Sequence, residues 1–136
     1  MSRTARGTFT VTLTPQPHVE GVGAPGIGRM ALHKVFDGDM TGVAHGQMLG
    51  LMTPTEGSAG YVAMDVVEVT LDGRHGTFAL QHSGVMTRGV KDLRVIVVPD
   101  SGTAELTGLH GTFDIDIRDG QHAYVLEYGF DAAGSP

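Results

Sequence analysis

The chain has 136 residues, no cysteine and a formal net charge of −6. Its length fits one domain, residues 1–136, that buries roughly two thirds of the surface of the unfolded chain. The lack of cysteine excludes disulfides, thiol nucleophiles and thiolate metal sites. Because the 9 basic residues do not cluster, no nucleic-acid partner is expected. Since no apolar run approaches ~20 residues, no membrane partner is expected either.

The composition favours an all-β fold. Glycine accounts for 21 residues and aromatic residues for only 6%, so valine and leucine must supply most of the core. So many glycines, without a collagen or low-complexity period, indicate frequent tight turns and strand kinks. The first residues, MSRTARGTFTV, lack the apolar stretch of a secretory signal, which predicts a cytoplasmic protein.

Strict alternation marks the first strand. Residues 8–14 place threonines on one face and Phe9, Val11 and Leu13 on the other, which is typical of a half-buried strand. The Gly- and Pro-rich segment 18–28 has little periodicity and predicts a long loop. Long loops are either plain connectors or functional lids, and the sequence leaves both open.

A second hairpin follows this loop. Residues 29–37 and 40–52 flank an Asp-Gly-Asp turn and predict the second and third strands. Gly42, Gly46 and Gly50 recur every four residues in the third strand, yet three glycines would cost a helix about 3 kcal/mol relative to alanine. Glycines on one face of a strand instead permit the strong curvature that closure of a barrel requires.

The central hairpin spans residues 61–86. Two β-branched segments flank the turn 72–76, the pattern of two antiparallel strands. Asp65 shares a face with Val67 on the first strand, and His82 shares a face with Phe78 and Leu80 on the second. With this turn, Asp65 falls within a diagonal step of His82. A register shift of one residue would instead place them on opposite faces.

The remainder of the chain predicts three more strands and one helical turn. The turn covers 104–109, with Thr103 as a weak N-cap, and residues 131–136 form a frayed tail. The strands are predicted at 93–98, 111–117 and 122–130.

Eight short strands with mostly tight connections predict a single eight-stranded antiparallel up-and-down β-barrel, which leaves no exposed edges. A β-sandwich is the alternative architecture.

Four segments also resemble a bacterial protein family. They read KVFDGDMTG, GTFALQHSG, VVPDSGTAELTGLHGTFDI and GQHAYVLEY, in this order between Lys34 and Tyr128, and they resemble the domain-of-unknown-function 3224 (DUF3224) family. Asp100 stands where the family pattern usually has glycine, and Val66 stands where it often has arginine. The resemblance implies an eight-stranded barrel with a central cavity, similar in fold to allene oxide cyclase, and no established activity.

His82 and Asp65 are the first candidate catalytic residues. A carboxylate beside an imidazole fixes its tautomer and raises its basicity, which suits a general acid or base. The alternative is a hydrogen-bonded core histidine without a chemical role.

Polar residues on neighbouring inward faces extend this candidate site. Tyr124 is a third candidate catalytic residue, and its strand also carries His122 and Tyr128 on the same face. An apolar lumen with a few polar groups is typical of a small-molecule site, although these groups could equally satisfy one another. Phe78 would line the lumen. Lys34 shares a face with Leu32 and Phe36, so its ammonium group either reaches the lumen or extends to solvent.

No metal or cofactor is expected. The 7 histidines lie on different strands without HxH, HxxxH or HExxH spacing, so only a facing pair such as His33 and His45 could bind zinc. A serine hydrolase is disfavoured because the GxSxG motif is missing.

The favoured function is therefore binding of a small apolar molecule, with isomerase or cyclase activity that needs no cofactor and works by enclosing the substrate and excluding water. The alternative is a non-catalytic carrier or a structural barrel. Strands that are apolar on both faces predict a homo-oligomer, most simply a dimer. Its contact surface is predicted at Val62, Val66, Ile96 and Val98.

Overall fold

The computed structural model of the chain describes residues 2–131, and these form one closed antiparallel barrel. Each strand pairs with its neighbours in sequence, and β8 pairs with β1 to close the sheet. This confirms the predicted all-β, eight-stranded, up-and-down architecture and rules out the sandwich. The strands are β1 (Arg3–Pro15), β2 (Ile27–Gly38), β3 (Met40–Met52), β4 (Ala59–Leu71), β5 (Arg74–Thr87), β6 (Val90–Val97), β7 (Leu109–Arg118) and β8 (Gln121–Phe130).

Several strands extend beyond the predicted bounds. β2 begins at Ile27 because Ile27 and Gly28 pair with the end of β3, which shortens the loop predicted at 18–28. β6 begins at Val90, so the β5–β6 turn is shorter than expected. Backbone pairing along the sheet extends these strands past the point where their side-chain alternation stops being clear, whereas the third strand has the predicted bounds. The predicted tail, apart from Asp131, lies outside the described residues.

The end of the barrel formed by the β2–β3 and β4–β5 turns and the β6–β7 connection is closed, and we call it the closed end. A 3-10 turn, Ala104–Leu106, packs there with Leu106 fully buried. Gly76 permits this approach, because a Cβ at Gly76 would lie 2.2 Å from the carbonyl oxygen of Thr103. Thr103 does not cap the turn; its hydroxyl instead accepts the Thr77 N–H at 3.1 Å.

Asp100, where the family pattern has glycine, lies in the same connection. Its φ is +63°, in the left-handed region that glycine enters without steric cost and that aspartate tolerates better than most residues. The substitution therefore keeps the turn.

The connections β1–β2, β3–β4, β5–β6 and β7–β8 lie at the opposite end, which we call the mouth. Inward-facing side chains become steadily more exposed towards it. Because these side chains are apolar, the mouth presents a hydrophobic surface to solvent. The exposed fractions rise from Phe9 (5%) to Leu13 (44%) on β1, from Val95 (3%) to Leu93 (39%) on β6, and from Phe113 (1%) to Ile117 (53%) on β7.

Candidate functional site

Three ionisable side chains meet inside the barrel below the mouth. Lys34 Nζ lies 2.9 Å from Asp65 Oδ2, and His82 Nε2 lies 3.0 Å from Asp65 Oδ1. Nζ and Nε2 are 3.3 Å apart. All three side chains are at most 5% exposed. They come from β2, β4 and β5, which lie together in the sheet with β3 between β2 and β4, so the pairing and curvature of these strands bring the side chains together.

The Asp65 carboxylate determines which nitrogen of His82 carries a proton. An ionised carboxylate only accepts hydrogen bonds, so the Nε2 proton of His82 lies on the 3.0 Å contact and is donated to Asp65 Oδ1. Nε2 then has no lone pair left for Lys34, whose ammonium forms the ion pair with Oδ2. In this tautomer the lone pair of the imidazole lies on Nδ1.

Lys34 stabilises the ionised form of Asp65 chiefly through its charge. Asp65 Oδ2 is the one fully buried side-chain oxygen or nitrogen without a hydrogen bond of good geometry within residues 2–131, and its contact with the ammonium is an ion pair. Burial by itself raises the pKa of the Asp65 carboxyl. The hydrogen bond from His82 and the charge of Lys34 outweigh burial, so this pKa lies below its usual range.

Glycine and alanine make room for the three side chains. Gly46 lies directly opposite Asp65, and a Cβ there would lie 2.6 Å from the Cα and Cβ of Asp65 and 2.0 Å from the Met64 carbonyl oxygen. Ala63 lies opposite His82 on the next strand pair. The glycine predicted to allow curvature therefore allows β3 to approach β4 closely behind the Asp65 carboxylate.

Tyr61 is a site residue that the sequence analysis missed. It lies opposite Gly84, and its ring covers that glycine: a Cβ at Gly84 would be 2.3 Å from a ring carbon. Burial raises the pKa of Tyr61, and the negative charge of Asp65 raises it further. The alternation of inward- and outward-facing residues along β4 indicates this position, because Tyr61 and Ala63 continue the face of Asp65 towards the mouth.

The other predicted site residues lie elsewhere. The Tyr124 hydroxyl accepts the Met40 N–H at 3.0 Å and donates to the Asp37 carbonyl at 3.0 Å, so it ties down the β2–β3 turn. The Tyr128 hydroxyl donates to Asp72 beside the β4–β5 turn.

The hydroxyls of Tyr124 and Tyr128 therefore lie at the closed end rather than in the group around His82. Phe78 is a fully buried core residue. His122 is half-buried on the mouth side, against the ring of Phe9. The ammonium of Lys34 lies 5.5 Å from the centre of that same ring.

The outer surface carries two further features. His33 and His45 face each other across β2 and β3, with ring centroids 4.7 Å apart. No group of three or more potential metal ligands occurs within residues 2–131.

A groove of about 680 Å³ along β3–β5 is lined by outward-facing side chains, among them His45, Leu49 and Met64, and also by Asp65 and His82. Val62 and Val66, two of the predicted contact residues, line it too and are exposed, whereas Ile96 and Val98 are half-buried. A homo-oligomeric contact there stays a prediction. No helix within the described part of the chain is long and apolar enough to cross a membrane.

A closed up-and-down barrel with an apolar mouth and a buried Lys–Asp–His cluster has the architecture of a small-molecule-binding fold. The chain belongs to the DUF3224 family of proteins of unknown function, whose family model matches residues 5–128. A crystal structure of a DUF3224 protein of unknown function from Shewanella oneidensis MR-1 has 46% sequence identity and a TM-score of 0.90. The match covers 98% of this chain and 100% of that one. None of the curated proteins matches the chain significantly.

Proposed function

We propose that the barrel binds a small, largely apolar molecule through its mouth and that His82, oriented by Asp65, transfers a proton to or from it. The reaction class is a cofactor-independent isomerisation or cyclisation. The observation that carries this proposal is the group of three buried ionisable side chains within 3.3 Å of one another, in a lumen that is otherwise mostly apolar.

Stability alone does not account for such a group. Removing charges from water costs several kcal/mol per ion, and well-packed apolar residues in their place are often neutral or stabilising. Buried ionisable residues in contact with an opening are therefore functional candidates. The gradient of exposure on β1, β6 and β7 supports this reading, because it leads from solvent towards these side chains.

The proposed chemistry divides among the three residues. Asp65 accepts a hydrogen bond from the Nε2–H group of His82 and so leaves His82 Nδ1 free to take a proton from a carbon beside a carbonyl group of the substrate. The same nitrogen returns the proton at another position. Lys34 keeps Asp65 ionised through its charge. The apolar mouth encloses the substrate and excludes water, which strengthens each of these interactions.

A non-catalytic carrier is the second candidate function, because the same mouth could hold a ligand without acting on it. Hydrogen exchange separates the two functions. In D₂O, a catalyst of this type would exchange the acetyl hydrogens of 2-acetonaphthone for deuterium, which mass spectrometry detects. We expect exchange above the buffer rate with the natural sequence, and exchange at the buffer rate with His82→Gln. His75→Gln, an exposed histidine at the closed end, is the matched control.

Each outcome decides between the two functions. Exchange that persists in His82→Gln would remove His82 from the mechanism. Binding of 2-acetonaphthone without exchange would favour the carrier. No binding at all would contradict the proposal that the mouth is a ligand site.

A further inference from the structure

Tyr61 stands between solvent and the buried side chains. Along the inward face of β4 the order from the mouth is Tyr61, Ala63 and Asp65, and across the strand pair Gly84 and His82 lie opposite the first two. Gly84 has no side chain, so the Tyr61 ring lies across β5 directly beside the position of His82. A molecule that approaches His82 from the mouth along β4 and β5 therefore meets the Tyr61 ring first.

The hydroxyl of Tyr61 is free to act on such a molecule. Tyr124 and Tyr128 both use their hydroxyls in hydrogen bonds at the closed end, whereas no described group forms a hydrogen bond with the Tyr61 hydroxyl. The ring is only half-buried. Burial and the Asp65 charge raise the pKa of Tyr61, so the hydroxyl keeps its proton at neutral pH and remains a donor.

The charges of the buried residues restrict what the hydroxyl can bind. The ammonium of Lys34 is paired with the carboxylate of Asp65 at 2.9 Å, so the buried cation beside His82 is already neutralised. A carboxylate brought into contact with this group would lose water without gaining an unpaired counter-charge from Lys34, which is unfavourable. A neutral carbonyl or hydroxyl oxygen needs only one donor.

We propose that Tyr61 is the hydrogen-bond donor that orients a neutral carbonyl or hydroxyl oxygen of an apolar ligand over His82, and that the site discriminates against carboxylates. This inference rests on the proposed function, because it requires that the mouth be the ligand site. Tyr61 then determines which end of the ligand meets His82.

Three probes of similar shape test this inference: 2-acetonaphthone, 2-ethylnaphthalene and 2-naphthoate. The chain has no tryptophan, so naphthyl fluorescence reports binding without overlap from indole. We expect Tyr61→Phe to weaken binding of 2-acetonaphthone about three- to ten-fold, the loss typical of one neutral hydrogen bond. Binding of 2-ethylnaphthalene should be unchanged, and 2-naphthoate should bind the natural sequence more weakly than the ketone does.

The control is Tyr128→Phe, which removes a hydroxyl at the closed end and should leave the relative affinities for the three probes unchanged. If the natural sequence binds the probes and Tyr61→Phe weakens none of them, or weakens all three equally, the inference is overturned while the proposed function stands. Tighter binding of 2-naphthoate than of the ketone would also overturn the inference. If none of the probes binds, the proposed function falls and this inference falls with it.

Discussion

Replacing Asp65 by asparagine is the most direct test of the buried ion pair. The substitution keeps the shape of the side chain but removes the charge opposite Lys34, whose side chain is 5% exposed. Breaking a buried pair by removing one partner typically costs about 3–5 kcal/mol, because an uncompensated charge remains. The total free energy of unfolding of a domain is about 5–15 kcal/mol, so this loss is a large fraction of it.

The expected result is a fall in thermal midpoint of about 10–20 °C for a domain of this size. Urea titrations followed by circular dichroism would measure the free energy of unfolding directly. The double variant Lys34→Met/Asp65→Asn removes both charges and should be more stable than Asp65→Asn alone, with a coupling energy of about 1–3 kcal/mol.

The exposed pair Arg118–Asp116, at 2.6 Å, provides the control. Asp116→Asn should leave stability nearly unchanged, because solvent screens exposed pairs. The buried ion pair would be refuted if Asp65→Asn lowered the unfolding free energy as little as Asp116→Asn does. It would also be refuted if the effects of the Lys34 and Asp65 substitutions were purely additive.

Three further predictions concern the surroundings of this pair. Gly46→Ala would place a Cβ 2.0 Å from the Met64 carbonyl oxygen, so it should destabilise the fold by about 1–3 kcal/mol or more. A Cβ at Gly50 would lie 3.8 Å from its nearest neighbour, so Gly50→Ala should leave the unfolding free energy in the same urea titration nearly unchanged. Gly84→Ala should displace the Tyr61 ring and lower the thermal midpoint, and a Tyr61→Ala background should abolish that penalty. Finally, the folded-state pKa of Asp65 lies below its usual value. The stability that Asp65 contributes is therefore full above an unfolded pKa of about 3.9 and is lost as pH falls through the folded pKa. Unfolding free energy should then fall less steeply with acid in Asp65→Asn than in the natural sequence.

Local patterns in the sequence predicted most of the fold. Alternation along residues 8–14 and 122–130 assigned the inward faces, because a strand points successive side chains to opposite sides. The pattern of the central hairpin also predicted that Asp65 and His82 lie close together, since its tight turn sets the register between two strands adjacent in sequence. Asp65 lies opposite Leu80, and His82 lies two residues further along.

The sequence by itself therefore determined the class of fold, the hairpins and the residues that face inward. Only the tertiary structure decided which of those residues meet. Lys34 had two possible positions, and the curved sheet places it beside Asp65 because only β3 separates β2 from β4. Tyr124 and His82 both face inward, yet the Tyr124 hydroxyl bonds to the β2–β3 turn at the closed end whereas His82 contacts Asp65. The physical reason is that side-chain alternation specifies a face but not a height along the barrel. Height depends on the stagger of every strand pair around the closed sheet, which no single segment of the sequence contains.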